Sequence, residues 1–518
     1  MEEVLICPGG DLYRSHLEAD PIELQWVRGE FRLPTEGKVA ANGETWLRAV
    51  ADENGWIENE HLRNGHAFGN VTSEEDEIWL LEAMGYGKVY LRGGPRIGNV
   101  YGYTDDWQPW QPPFNFSVVP VELKQGPNHM YFSGSRFGLL RARFVQPQAA
   151  LQINALDATL PDLVIGEKPN TVGSVVIMNC SNEFITKAKL QVSLDHQPVQ
   201  SVDVPVIPPL GVRKVAFPIR SFETTKAGSH ALEARVTQSG RDIHRATLEL
   251  KAVKPNENRR VTFVSDIDGS VQFYGYLPAA GRANPKALFL SLHGAAVDAR
   301  NQSGSYPPYT WGHVVAPTNR RPFGFNWEDW GRLDALEVLD LARQRYNIDP
   351  DRVYLTGHSM GGHGSWHLGT LYPDRFAAVG PSAGWISFWS YRPDQPVESE
   401  GVLEQMVQRA TLPSRTLTMA PNLSDMGVYV LHGAEDDNVR VEQAHMMVER
   451  LKEFHKNFVF HEEPDVGHWW DLSDAPGADC VSWAPMFDYF SRHRLPRHKE
   501  IQRVQFMTPS PGVSSKHH

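Results

Sequence analysis

The chain has 518 residues, 41% of them hydrophobic and 22% charged, which is ordinary for a globular protein and too long for a single hydrophobic core. A net charge of −12 argues against a basic nucleic-acid-binding surface, and no apolar run reaches the length that spans a bilayer. Cys7, Cys180 and Cys480 stand far apart without a C-x-x-C pair, which excludes a disulfide framework and a structural zinc site.

Taken in order, the chain opens on Met1-Glu2-Glu3-Val4, acidic and without the basic and apolar segments of a leader. The compartment therefore stays open: secreted or periplasmic if a leader has been removed, cytoplasmic otherwise. Up to about residue 150 short runs predict strands at Glu77–Leu81, Lys88–Leu91, Pro120–Leu123, His129–Phe132 and Leu139–Phe144, separated by turn residues such as Gly93-Gly94-Pro95 and Gly126-Pro127-Asn128. The segment from Val89 to Phe132, with its Leu123-Lys124-Gln125-Gly126-Pro127-Asn128 strand entry, resembles the jelly-roll, galactose-binding-like modules found beside glycan-active hydrolases. Tyr101, Tyr103, Trp107 and Trp110 would there fill a core or pack against the next domain, or else offer a sugar-stacking platform. From 151 to 256 a period of two at Ala188–Leu194, Val202–Val206 and Leu232–Val236 predicts an Ig-like β-sandwich. Neither β region repeats at the length of a propeller blade.

From 257 to 498 the texture changes. Val261–Val264 and Val271–Leu277 predict a hairpin around Asp266-Ile267-Asp268-Gly269, and Ala287–Leu292 and His313–Pro317 predict buried strands. Asp334–Tyr346 predicts a helix, and strand and helix then alternate as in an α/β fold with a mainly parallel sheet. Residues 499 to 518 form a tail whose terminal His517 and His518 are not read as metal ligands. The expected organisation is thus a jelly-roll-like domain at 1–150, an Ig-like sandwich at 151–256, an α/β domain at 257–498 and the tail.

The stretch Asp351–Trp366, DRVYLTGHSMGGHGSW, is the centre of the chemistry. The strand Val353-Tyr354-Leu355 runs into Gly357-His358-Ser359-Met360-Gly361 and then a helix start, the setting of a G-x-S-x-G nucleophile elbow. The turn pushes the Ser359 hydroxyl out of the backbone, and side chains at 357 and 361 would clash with it. His358, inside the elbow, reads as a packing residue. The nucleophile, acid and base of this architecture follow in that order along the chain. Val428–Leu431 leads into His432-Gly433-Ala434-Glu435-Asp436-Asp437, and Phe458–Phe460 leads into Pro464-Asp465-Val466-Gly467-His468-Trp469. An acid at the carboxyl end of a strand and a histidine on the next loop can converge on the serine. Asp436 ranks before Asp437. The oxyanion hole needs two backbone N–H groups: that of Met360 after the nucleophile, and that of Ala295 in the turn His293-Gly294-Ala295-Ala296. Trp385, Trp389 and Trp469 are candidates for a substrate pocket beside Phe388, Tyr391 and Trp470, and Arg320 or Arg321 is a rim candidate for a substrate carboxylate.

From about 258 to 495 the chain resembles the α/β-hydrolase superfamily, on its prolyl oligopeptidase and secreted-esterase branch. The resemblance is carried by Asn347–Gly362, by H-G-x-x-D-x-x-V at His432, Gly433, Asp436 and Val439, and by Gly467-His468. It implies Ser359 as nucleophile, Asp436 as acid and His468 as base. The expected activity is a serine carboxylesterase acting on short acyl or aryl esters, small or glycan-linked, without cofactor or catalytic metal. A prolyl oligopeptidase-like peptidase is the alternative, and a non-catalytic binding scaffold a third class. No nucleic acid and no membrane span is expected, and the sequence leaves a homo-oligomer open.

Overall fold

The computed structural model describes residues 2–9, 20–91, 96–99, 114–135, 137–195, 197, 199–220, 222, 224–282, 284–320, 324–391, 401–510 and 512–515. Gly93-Gly94-Pro95, Tyr101, Tyr103, Trp107, Trp110, Arg321, Arg392 and the end of the tail lie outside the described residues, as does the side chain of Trp389.

The chain forms two compact units. The first comprises Met1–Thr159, Gly173–Phe222 and Ser229–Leu250 and is rich in β-structure. Its leading part is a six-stranded sheet and a four-stranded sheet that share one apolar core, with Ile6, Val89 and Phe132 from one sheet facing Leu81, Val121 and Leu140 from the other. At the entry to the strand Gly126–Ser133, buried Asn128 accepts from the Lys124 N–H at 2.9 Å and donates to the Lys124 and Gly126 carbonyls. That explains an asparagine there: one side chain satisfies a tight turn's backbone groups. Further on, Ala188–Leu194 pairs antiparallel with Gly228–Gln238 and Gln200–Asp203. The expected alternation over Val202–Val206 stops at Asp203, because Pro205 supplies no ladder N–H.

The second unit contains Leu160–Val172, Glu223–Gly228 and Lys251–His518. Its frame is an eight-stranded sheet: β1 (Arg259–Val264), β2 (Val271–Leu277), β3 (Lys286–Leu292), β4 (Gly312–Pro317), β5 (Ile348–His358), β6 (Ala378–Ser382), β7 (Gly427–Gly433) and β8 (Phe458–Glu463). The spatial order is β1-β2-β4-β3-β5-β6-β7-β8. The first two pairings are antiparallel and the rest parallel. This is the α/β-hydrolase fold. Every residue of β3 and of β7 is buried, as the continuous apolar runs require of strands covered on both faces. Helix α1 (Asp329–Arg345) begins five residues before the expected Asp334. Trp330 and Leu333 in its first turns are exposed, so the apolar stripe that marks a helix begins only afterwards. Helix α2 (Met360–Leu371) is buried at all twelve positions, and glycine at 361, 362, 364 and 369 lets it approach its neighbours closely. Gly364 lies against the Trp327 ring, where a Cβ would come within 2.6 Å.

Candidate active site

Ser359 joins β5 to α2 with φ 59° and ψ −120°, a backbone conformation that costs a residue with a side chain about 1–3 kcal/mol. The surroundings impose it. The Ser359 N–H donates to the Ser382 carbonyl on β6 at 2.9 Å, and its own carbonyl accepts from the His363 N–H at 3.0 Å. A Cβ on Gly357 would lie 2.6 Å from the Gly361 carbonyl, inside the turn. One on Gly361 would lie 1.9 Å from the Leu292 oxygen, and one on Gly362 would lie 2.3 Å from the Ser382 oxygen. The expected clash within the turn therefore holds for Gly357, which meets the Leu292 oxygen of β3 equally closely at 2.6 Å, and Gly361 and Gly362 are small because strands β3 and β6 pass against them.

The loops after β7 and β8 bring two further side chains to the serine. His468 Nε2 is 2.9 Å from Ser359 Oγ, and His468 Nδ1 is 2.8 Å from Asp436 Oδ2. The loops touch backbone to backbone, since a Cβ on Gly433 would lie 2.4 Å from the Gly467 oxygen. Asp436 is 5% exposed, while Glu435 and Asp437 on either side are exposed. Asp436 Oδ1 accepts from the N–H groups of Asn438 (3.0 Å) and Val439 (2.8 Å). Burial alone would raise its pKa, but hydrogen bonding from His432 and His468 outweighs burial and holds the carboxyl well below the usual range. An ionised Asp436 is only an acceptor, so His468 carries its proton on Nδ1 and leaves Nε2 free to take one from the serine.

His358 lies against His468, with ring centroids 4.9 Å apart, and its Nδ1 is 3.2 Å from Ser382 Oγ. Burial, then the neighbouring His468, pushes its pKa down to about 3, so it packs as a neutral ring.

On the other side of Ser359 runs the turn after β3. A Cβ on Gly294 would stand 3.7 Å from Ser359 Cβ. The N–H groups of Ala295 and Met360 donate to no acceptor among the described residues. Met360 follows the serine directly and Ala295 follows Gly294, so these N–H groups are the candidates for holding a developing oxyanion.

The aromatic candidates separate. Trp469 is 56% exposed and sets its edge against His358. Trp470 is buried. Trp385 is 2% exposed, and both its faces are covered, by His363 at 4.9 Å and by Tyr391 at 4.6 Å between centroids. It can buttress a pocket wall but has no free face to stack on a substrate. The Trp389 side chain lies outside the described residues. Arg320 turns inward, its side chain 9% exposed, onto Asp268 at 2.5 Å, with Glu337 (3.8 Å) and Asp334 (3.9 Å) beyond. That ion-pair network occupies the guanidinium, which corrects its expected place on the rim. Two further side chains have a part that the sequence did not announce. His432 Nε2 lies 3.2 Å from Asp436 Oδ2, beside its 2.7 Å contact with the Val439 carbonyl. Glu328 reaches His363. The leading histidine of H-G-x-x-D was the available signal for the first, and nothing in the spacing marks the second. Among the described residues no group of three or more His, Cys, Asp or Glu side chains is arranged to hold a metal ion, and no helix is long and apolar enough to cross a membrane.

Comparison with known proteins matches residues 320–493 to the sequence model of the prolyl oligopeptidase family. Those residues contain Ser359, Asp436 and His468 but not Ala295. An uncharacterised secreted protein of Arthroderma benhamiae is 29% identical over 200 residues, 35% of this chain and 21% of that protein. A bifunctional acetylxylan esterase/xylanase of Neocallimastix patriciarum is 24% identical over 205 residues, 38% of this chain and 26% of that protein. A poly(3-hydroxyalkanoate) depolymerase C of Paucimonas lemoignei is 31% identical over 133 residues, 22% of this chain and 32% of that protein. The chain thus spans between a fifth and a third of the length of these relatives.

Proposed function

We propose, from the premise that the C-terminal region is an α/β-hydrolase on the prolyl oligopeptidase and esterase branch, that the protein is a serine hydrolase of carboxylic esters. The observation that carries this reading is the two-link relay Ser359 Oγ to His468 Nε2 at 2.9 Å and His468 Nδ1 to Asp436 at 2.8 Å. In the proposed mechanism His468 Nε2 takes the Ser359 proton as Oγ bonds to the ester carbonyl carbon. The carbonyl oxygen becomes an oxyanion held by the Met360 and Ala295 N–H groups. The bond to the leaving alkoxide then breaks, and that oxygen receives the proton from His468. Water repeats the sequence on the acyl-enzyme, releasing the acid and restoring Ser359. Asp436 holds the imidazole in the working tautomer and offsets the charge it gains.

The substrate class proposed is a short acyl or aryl ester, small or glycan-linked. Support comes from relatives named as acetylxylan esterase, feruloyl esterase and polyhydroxyalkanoate depolymerase. Trp469, exposed beside the relay, supplies an apolar edge for such a group, with Trp385 behind the wall and Trp389 on the same segment. The division at 150 and 256 into a jelly-roll-like module and an Ig-like sandwich, with a tail from 499, belongs to the same proposal. A core drawn from residues 4–142 alone favours the first boundary, although Leu80 packs with Val176, Met178 and Cys180 across it. A peptidase is the second reading, favoured by the family match over 320–493. The two are told apart by turnover of p-nitrophenyl esters of graded chain length beside proline- and alanine-terminated p-nitroanilides. Fast release from acetate or butyrate esters with little from the anilides is expected. Anilide cleavage at rates matching the esters overturns the esterase reading.

A further inference from the structure

The turn after β3 that carries the Ala295 N–H is held from a loop that the reaction does not otherwise use. Trp327 stands two residues before α1 and is fully buried. Its Nε1–H donates to the His293 carbonyl at 3.1 Å, and its ring meets the His293 ring edge-on, 4.9 Å between centroids. An indole nitrogen only donates, so this bond has one direction. Helix α2 fixes the ring itself, since a Cβ on Gly364 would lie 2.6 Å from Trp327 Cγ and Cδ1. The next carbonyl of the turn is held as well. The Gly294 oxygen accepts from the Val297 N–H at 3.3 Å and lies 2.8 Å from His293 Nδ1. The Gly294 C=O and the Ala295 N–H are the two ends of one planar trans peptide, so they point to opposite sides of the chain. Fixing the carbonyl therefore aims the N–H. Asn326, directly before Trp327, donates its N–H to Met360 Sδ at 3.1 Å. Consecutive residues thus touch both halves of the proposed oxyanion hole: Asn326 meets Met360, and Trp327 meets the turn that leads to Ala295.

We infer that Trp327 is a positioning residue for the oxyanion hole, its indole N–H, beside the Asn326 N–H, setting the Ala295 and Met360 N–H groups relative to one another. Its part in turnover rests on the reading of Ser359 as nucleophile and of those two N–H groups as the oxyanion's donors. Trp327 touches no reacting atom. A core tryptophan whose N–H merely found an acceptor would act on stability alone. One that spaces the hole acts on the tetrahedral state, because the oxyanion exists only once Oγ has bonded to the carbonyl carbon. A donor moved off line leaves the substrate's ground-state binding intact and weakens the hold on that oxyanion.

Two variants test this. Trp327→Phe keeps an apolar ring and removes the N–H. Trp327→β-(3-benzothienyl)alanine puts sulfur in place of the N–H and keeps the shape of the ring, which separates the lost bond from lost packing. Each is compared with wild type for turnover of p-nitrophenyl acetate and for inhibition by trifluoroacetophenone. That ketone adds reversibly to a serine hydroxyl: Oγ bonds to the carbonyl carbon, the proton passes to His468, and the ketone oxygen becomes an oxyanion in the hole. Both variants should lower kcat by about tenfold, less than the loss on deleting an oxyanion donor outright. KM should stay within about twofold, and affinity for the ketone should fall by the same factor of about ten as kcat. An unchanged kcat in the folded isostere, a loss confined to KM, or a kcat loss without the matching loss of ketone affinity overturns the inference. An isostere variant that does not fold overturns it too, since the N–H would then be a requirement of the core and not of the hole. Active wild type with indifferent variants refutes the role of Trp327 alone, whereas wild type that neither turns over the ester nor binds the ketone refutes the proposed function and this role together.

Discussion

Replacing Asp436 by asparagine separates the relay from its surroundings. Oδ1 receives two backbone N–H groups, from Asn438 and Val439, so the amide oxygen belongs there and the amide nitrogen falls where Oδ2 was. That nitrogen would donate to His468 Nδ1, at the present 2.8 Å contact. The imidazole then carries its proton on Nε2, facing Ser359, and cannot accept another. In the serine protease template a tautomer error of this kind costs about 10^4 in kcat, or about 5.4 kcal/mol at 1.36 kcal/mol per decade. Asp437, one residue on and exposed, makes no such contact, and Asp437→Asn should stay within about threefold of wild type. Steady-state hydrolysis of p-nitrophenyl acetate measures both. Acid unfolding supplies a second readout with a definite sign. Asp436 is held below its unfolded value, so its stabilising contribution is present above about pH 4 and is lost as pH falls through the folded value. The stability gap between wild type and Asp436→Asn should therefore narrow on acidification from neutral pH. An equal or larger kcat loss in Asp437→Asn, or retention of more than about a tenth of kcat in Asp436→Asn, refutes the assignment.

Gly361→Ala should destabilise by about 3 kcal/mol or more in denaturant melts, because the new methyl would sit 1.9 Å from the Leu292 carbonyl oxygen, a backbone atom that no rotamer change can move aside; a loss below about 1 kcal/mol would contradict that packing. Asp334 behaves oppositely to Asp436. Burial raises its carboxyl to about 7 in spite of Arg320, so its contribution is present below the unfolded value of about 3.9 and is lost as pH rises through 7. Asp334→Asn keeps an acceptor for the Asn319 N–H, now 2.8 Å from Oδ2, and cannot ionise. Its stability relative to wild type should climb between about pH 4 and about pH 7, and a pH-independent difference in denaturant midpoints would refute the shift.

The parts of this protein that are legible from its residues are those where one local pattern has one physical solution. Ala287–Leu292 and Val428–Leu431 are continuous apolar runs that only strands covered on both faces accommodate, and both are buried throughout. The elbow is legible because strand, glycines and serine must adjoin for the turn to close. The acid is less so: Glu435, Asp436 and Asp437 differ in the structure only because the loop buries the middle one. What the residues do not announce depends on segments meeting in space. Arg320 looks like a surface arginine until Asp268, Asp334 and Glu337 surround it. Glu328 and His363 are 35 positions apart, and no periodicity links them. The aromatic segment 385–391 suggests a stacking wall, yet His363 and Tyr391 cover the faces of Trp385.

The most direct test of the central claim is the fate of Ser359. Labelling with a fluorophosphonate, followed by peptide mapping, should give one adduct, on Ser359. Ser359→Ala should lose both the adduct and p-nitrophenyl acetate turnover, the latter by about 10^4 or more, while unfolding at an unchanged denaturant midpoint. An adduct on another residue, or turnover that persists in the folded alanine variant, would contradict the account.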